Sequence, residues 1–131
     1  MGPILREKQK ITQKFHVKHK GVDLRCVTDD THKNLPVIAT ERCQVTRRGV
    51  DGYGNNFLVV RPLENTDFNE LKYIHIDKTT FHEGDIIERG DFISYCIIGG
   101  NSQSLHLHFE TWKDKAVNPE TYFSAAGIDY I

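Results

Sequence analysis

Short apolar runs punctuated by clusters of Gly, Asn, Asp and Ser recur along the chain, and only its last part carries a helix-start signal. Runs of this length with β-branched and aromatic residues predict strands, and their spacing predicts an all-β protein built as an antiparallel sheet or sandwich. The pattern places strands at 36–39, 43–47, 56–61, 71–76, 92–98 and 105–112. Between the second and third, Gly49-Val50-Asp51-Gly52-Tyr53-Gly54-Asn55 supplies residues that tolerate positive φ, so these two strands are expected to pair as a hairpin. His82-Glu83-Gly84-Asp85 and Glu88-Arg89-Gly90-Asp91 are turn signals flanking Ile86-Ile87, which predicts a very short strand. Asn118-Pro119-Glu120 joins a capping residue to a proline at the first helical position and predicts at most one short C-terminal helix, through Phe123. Residues 1–10 are polar and expected to be loosely held, with 11–131 as one domain.

Composition narrows the functional classes. The 131 residues can bury a real core, and 38% hydrophobic with 27% charged residues is a globular balance. A formal charge of -1 gives no general attraction for phosphate backbones, so nucleic acid is not expected as a partner. The longest apolar stretch, 92–98, is interrupted by Ser94 and falls far short of the roughly 20 residues a membrane span requires. Cys26, Cys43 and Cys96 are odd in number and far apart, which reads as three buried, inert thiols rather than a disulfide framework. The start, Met1-Gly2-Pro3-Ile4-Leu5-Arg6, lacks the apolar core of a secretory signal.

The chemistry sits in the seven histidines. In Leu105-His106-Leu107-His108-Phe109-Glu110, strand alternation points His106 and His108 to one side and Leu107 and Phe109 to the other. His19-Lys20-Gly21-Val22-Asp23 offers an imidazole and a carboxylate that share a face if the segment is extended. In Tyr73-Ile74-His75-Ile76-Asp77, alternation puts His75 on one face with Tyr73 and Asp77 while Ile74 and Ile76 pack behind. Each element alone is weak evidence, since a lone strand histidine is usually structural or solvated; imidazole and carboxylate together suit zinc, with a fourth position left for water.

Taken in order, these elements resemble the lysostaphin-type (LytM) zinc endopeptidases, which cut peptide cross-bridges of bacterial cell walls. His19-Lys20-Gly21-Val22-Asp23 is similar to the family's first metal motif, His106-Leu107-His108-Phe109-Glu110 to its second, and Tyr73-Ile74-His75-Ile76 to the strand that delivers a further active-site histidine. Pro36-Val37-Ile38-Ala39, Gly52-Tyr53-Gly54-Asn55-Asn56, Gly84-Asp85-Ile86-Ile87-Glu88-Arg89-Gly90 and Val117-Asn118-Pro119 follow collinearly. The resemblance implies a sheet flooring a loop-walled groove, one zinc ion held by His19, Asp23 and His108, and His106 and His75 beside it as unbound catalytic residues. It implies a peptidoglycan peptide as substrate and action at the cell wall. With no secretory signal, delivery by a virion, or excision from a longer protein, is expected. His106 would take a proton from the attacking water and His75 would steady the oxyanion. The alternative is a catalytically silent domain of the same fold that binds peptidoglycan or regulates a partner.

Overall fold

Leu107, Phe109 and Thr111 are fully buried, while His106, His108 and Glu110 alternate with them along one strand, so this strand has a core face and a site face. The structure, a computed structural model, describes residues 4–5, 10–27, 34–97 and 105–120. Its strands are β1 (Ile11–Gln13), β2 (Val22–Arg25), β3 (Pro36–Ile38), β4 (Cys43–Val50), β5 (Asn56–Pro62), β6 (Glu70–Ile74), β7 (Ile86–Ile87), β8 (Phe92–Tyr95), β9 (His106–Lys113) and β10 (Lys115–Val117). The main sheet runs β1-β2-β9-β6-β5-β4-β7, with β10 returning along the end of β9, and every pairing in it is antiparallel. A second sheet pairs β3 with β8.

The core lies against one face of the main sheet. Leu24, Leu58, Val60, Leu71, Tyr73, Leu107 and Phe109 cluster there with Val37 and Ile93 of the small sheet. Each large side chain removed from water in this way contributes roughly 1.5–3 kcal/mol. The hairpin joining β4 and β5 closes as expected. Asp51 Oδ1 accepts the N–H groups of Tyr53 and Asn55, each at 2.9 Å, and Gly54 takes the left-handed conformation, φ 81°.

Four expectations change. β1, β2 and β10 are strands that the apolar pattern did not reveal, being three or four residues long with at most two apolar residues each. Within the stretch expected to be loose, Ile4 and Leu5 are fully buried, and Ile4 accepts the Ile38 N–H at 2.9 Å. Cys26 and Cys96 are not inert thiols but form a disulfide across a sequence separation of 70. An odd count left one cysteine unpaired rather than all three. Cys26 follows β2, and Cys96 follows β8 and bridges Ile76, so folding brings together residues whose spacing carried no signal. Cys43 alone is free, and its burial pushes the thiol up to about 12, which keeps it protonated and unreactive. Finally, β6 ends at Ile74 and β8 at Tyr95, earlier than predicted. At the C-terminal end, Asn118 Oδ1 accepts the Glu120 N–H at 3.1 Å, a helix-cap contact; residues 121–123 of the expected helix lie outside the described residues.

Candidate metal centre

Antiparallel pairing of β2 with β9 sets Asp23 directly opposite His108. The chain before β2 passes so close to β9 that a Cβ on Gly21 would collide with the Phe109 carbonyl, so only glycine permits this approach. His19 arrives from a tight turn rather than from the extended segment expected: His16 and His19 exchange backbone hydrogen bonds of 3.1 and 2.9 Å. Its Nδ1–H donates to the Lys14 carbonyl at 2.9 Å, which leaves Nε2 turned toward Asp23.

Asp23 Oδ1 is the hub. It lies 2.9 Å from His108 Nδ1, 3.3 Å from His19 Nε2 and 3.7 Å from His106 Nε2. One ligand-type atom from each of His19, Asp23 and His108 falls within 4.8 Å of the other two. Ligand atoms around a tetrahedral zinc, at 2.0–2.1 Å from it, are about 3.4 Å apart, so this set fits such an ion with a small opening of the Asp23–His108 pair. The donor chemistry agrees. A carboxylate oxygen and two imidazole nitrogens are the oxygen and nitrogen donors that zinc accepts.

Behind His108, Nε2–H donates to Glu110 Oε2 at 2.8 Å, and Glu110 Oε1 accepts Trp112 Nε1–H at 2.7 Å. Burial alone would lower the His108 imidazole, but its hydrogen bonds to Asp23 and Glu110 and their charges raise it to about 9. For Asp23, burial opposes ionisation, yet the His108 hydrogen bond and the neighbouring imidazoles hold its carboxyl below the ordinary value. The same balance, with His108 and Trp112 as donors, keeps Glu110 low. Without a metal, His108 is therefore an imidazolium clamped between two carboxylates.

His75 reaches the site by a different route from the one predicted. Tyr73 is fully buried in the core and its Oη accepts the Thr40 N–H at 3.2 Å, so it does not share a face with His75. Regular alternation would send His75 to the core side after Ile74. Instead His75 takes φ 71°, a left-handed conformation unfavourable for a residue with a Cβ, and this kink turns the ring into the cleft beside Ile74. Its ring lies edge-on to His106, centroids 4.7 Å apart. Burial and the adjacent His106 and His108 push its pKa down to about 4, so it is neutral at pH 7, and its Nδ1 is buried without a hydrogen-bond partner.

These side chains line a cleft of about 400 Å³ that also receives Gln13, Asp51, Asn55 and Glu110. All five residues singled out from the sequence, His19, Asp23, His75, His106 and His108, thus meet in one place. Asp77 does not join them; its Oδ1 accepts the Lys78 N–H. Glu110 and Asp51 were missed. The period of two that paired His106 with His108 extends to Glu110, and an Asx-type loop residue was the available signal for Asp51.

A donor set of two imidazoles and a carboxylate in an open cleft, flanked by two further imidazoles, is that of a metal-dependent hydrolase class. The profile of peptidase family M23 matches residues 17–119, and the chain belongs to that family. It is 30% identical over 94 residues to the peptidoglycan DD-endopeptidase ShyB of Vibrio cholerae serotype O1, an alignment covering 72% of this chain and 20% of that protein. The chain thus spans about a fifth of the length of this relative. Its fold is similar to that of the antimicrobial peptidase lysostaphin from Staphylococcus simulans, with a TM-score of 0.73 at 23% identity, covering 95% of this chain and 55% of that one. It is also similar to a zinc containing peptidase from Vibrio cholerae, with a TM-score of 0.62 at 24% identity, covering 87% of this chain and 35% of that one.

Proposed function

We propose that this chain is a zinc endopeptidase that hydrolyses peptide cross-bridges of bacterial peptidoglycan, with residues 11–131 as the peptidase domain and His19, Asp23 and His108 holding one zinc ion. The observation that carries the reading is the convergence of the His19 and His108 ring nitrogens on Asp23 Oδ1, at 3.3 and 2.9 Å. Membership of a peptidase family, the endopeptidase relative and the zinc containing neighbour support it. A zinc ion bound there supplies Lewis acidity, lowering the pKa of a water toward about 7. His106, 3.7 Å from the hub oxygen, takes a proton from the attacking water and returns it to the leaving amine. His75, held neutral, donates N–H to the developing oxyanion, which is typically worth about 3 kcal/mol. Asp51 and Asn55, joined at 3.1 Å, form part of the cleft wall against which the peptide lies. The setting is the cell wall, reached by a virion or another delivery route.

Metal analysis of purified protein, together with release of new amine groups from purified peptidoglycan, tests the reading. Asp23→Ala and His108→Ala are expected to lose zinc and activity together, whereas His106→Ala keeps zinc and loses turnover. Near-normal cleavage by His106→Ala removes it from the proposed role, and wild-type protein that takes up no zinc after zinc-replete purification overturns the metal centre.

A further inference from the structure

We propose that Glu110 and Trp112 form a positioning pair that fixes which nitrogen of His108 faces the metal and makes the tryptophan a reporter of metal occupancy. The inference rests on the zinc reading above and assigns work to residues outside the ligand set.

An imidazole can ligate through either nitrogen, and the other nitrogen's hydrogen bond decides which. His108 Nδ1 faces the hub at 2.9 Å, so Nε2 must carry the proton, and Glu110 Oε2 accepts it at 2.8 Å. Glu110 is itself a flexible side chain, and a single contact would leave its carboxylate free to rotate. Its second oxygen accepts Trp112 Nε1–H at 2.7 Å, so both oxygens are committed and the plane of the carboxylate is set. All three residues project from the same face of β9, two apart, so the strand delivers the relay with no loop in it. The Lys72 ammonium lies over the Trp112 ring at 4.2 Å from its centroid and that of Lys20 at 5.7 Å, contacts that favour this placement of the indole. A hydrogen-bonding carboxylate behind a ligating histidine typically accounts for 10- to 100-fold in metal affinity.

Zinc affinity, measured by competition with a chromophoric chelator, is compared for wild type, Glu110→Ala, Glu110→Gln and Trp112→Phe, with thermal unfolding of the metal-free forms as the folding control. Glu110→Ala is expected to bind about 10- to 100-fold more weakly. Glu110→Gln falls between, because its amide keeps one acceptor for two donors, and Trp112→Phe gives the smallest loss in the same direction. Trp112 is the chain's single tryptophan, so its emission reads the relay directly. Zinc is expected to shift the wild-type emission, and saturating zinc to leave Glu110→Ala emission unmoved. Glu110→Ala that binds zinc as tightly as wild type overturns the pair; should that variant not fold, wild-type affinity in both Glu110→Gln and Trp112→Phe overturns it equally. A wild-type protein that binds no zinc instead overturns the metal centre on which the pair depends.

Discussion

Gly21→Ala is a one-carbon perturbation placed where the chain entering β2 meets β9. The added Cβ would overlap the Phe109 carbonyl oxygen and stand 2.9 Å from Glu110 Cγ and 3.0 Å from the Phe109 carbonyl carbon. The Glu110 side chain could yield, but the carbonyl is backbone within the β2–β9 pairing and cannot swing aside alone. Carbon contacts become favourable near 3.5–4.0 Å, so the segment before β2 must move from β9 by about 1 Å. Asp23 is two residues further on and directly opposite His108, so the displacement reaches the 2.9 Å contact at the hub. Overpacking of this kind costs about 1–3 kcal/mol of stability. Ligands held by strand geometry tolerate only about 0.5 Å, so zinc affinity is expected to fall by at least about tenfold. Thermal unfolding of the metal-free protein reads the first effect and chelator competition the second. An alanine variant of reduced stability but wild-type zinc affinity would refute the proposition that this close approach sets the spacing of the ligands.

Two further perturbations separate chemistry from scaffold. His75→Gly removes a φ of 71° that costs a residue with a Cβ about 1–2 kcal/mol; the variant is expected to keep its zinc and its stability but lose about 100-fold in turnover, and full activity would remove His75 from the reaction. In the metal-free protein, His108 is raised to about 9 from 6.5, so the folded state keeps a proton that the unfolded chain has released; this stability is fully present below about pH 6.5 and is lost as pH rises through 9, by on the order of 1–3 kcal/mol. His75, depressed to about 4, acts oppositely, so its contribution declines as the solution is acidified below about pH 6.5, and the lowered Asp23 and Glu110 carboxyls add to the decline only below their ordinary values of 3.8 and 4.5. Denaturant unfolding in chelator across this range checks the sign, and a flat profile between pH 6.5 and 9 would contradict the imidazolium clamped between carboxylates.

What could be read in advance follows how regular the backbone is. β9 was legible from its alternation, β5 from its continuous apolar run Phe57 to Val60 and β7 from its flanking turns, all of which survive from sequence to structure. His106 and His108 were legible for the same reason. His75 reaches the cleft by a geometry other than the one expected, since its arrival depends on a left-handed kink that no period of two encodes. His19 and Asp23 were recognisable from a motif, yet their convergence comes from the His16–His19 turn and from pairing with β9, neither visible in five consecutive residues. The Cys26–Cys96 link is a property of topology, closing over 70 residues between strand ends that belong to different sheets.

The site and the core specify one another through β9. Its inward residues Leu107, Phe109 and Thr111 are fully buried, and its outward residues are the imidazoles and Glu110. A slip of one residue against β2 or β6 would exchange the two sets, burying two imidazoles and a carboxylate while exposing Leu107 and Phe109. The lost apolar burial alone amounts to roughly 1.5–3 kcal/mol for each of those two side chains, before any cost of desolvating the polar ones. Register is therefore enforced by residues of the core face, where Phe109 packs against Tyr73 with ring centroids 5.2 Å apart. On this account, enlarging or deleting the Phe109 ring would disturb the cleft from beneath, although the side chain lies on the opposite face of the sheet from the histidines that line it.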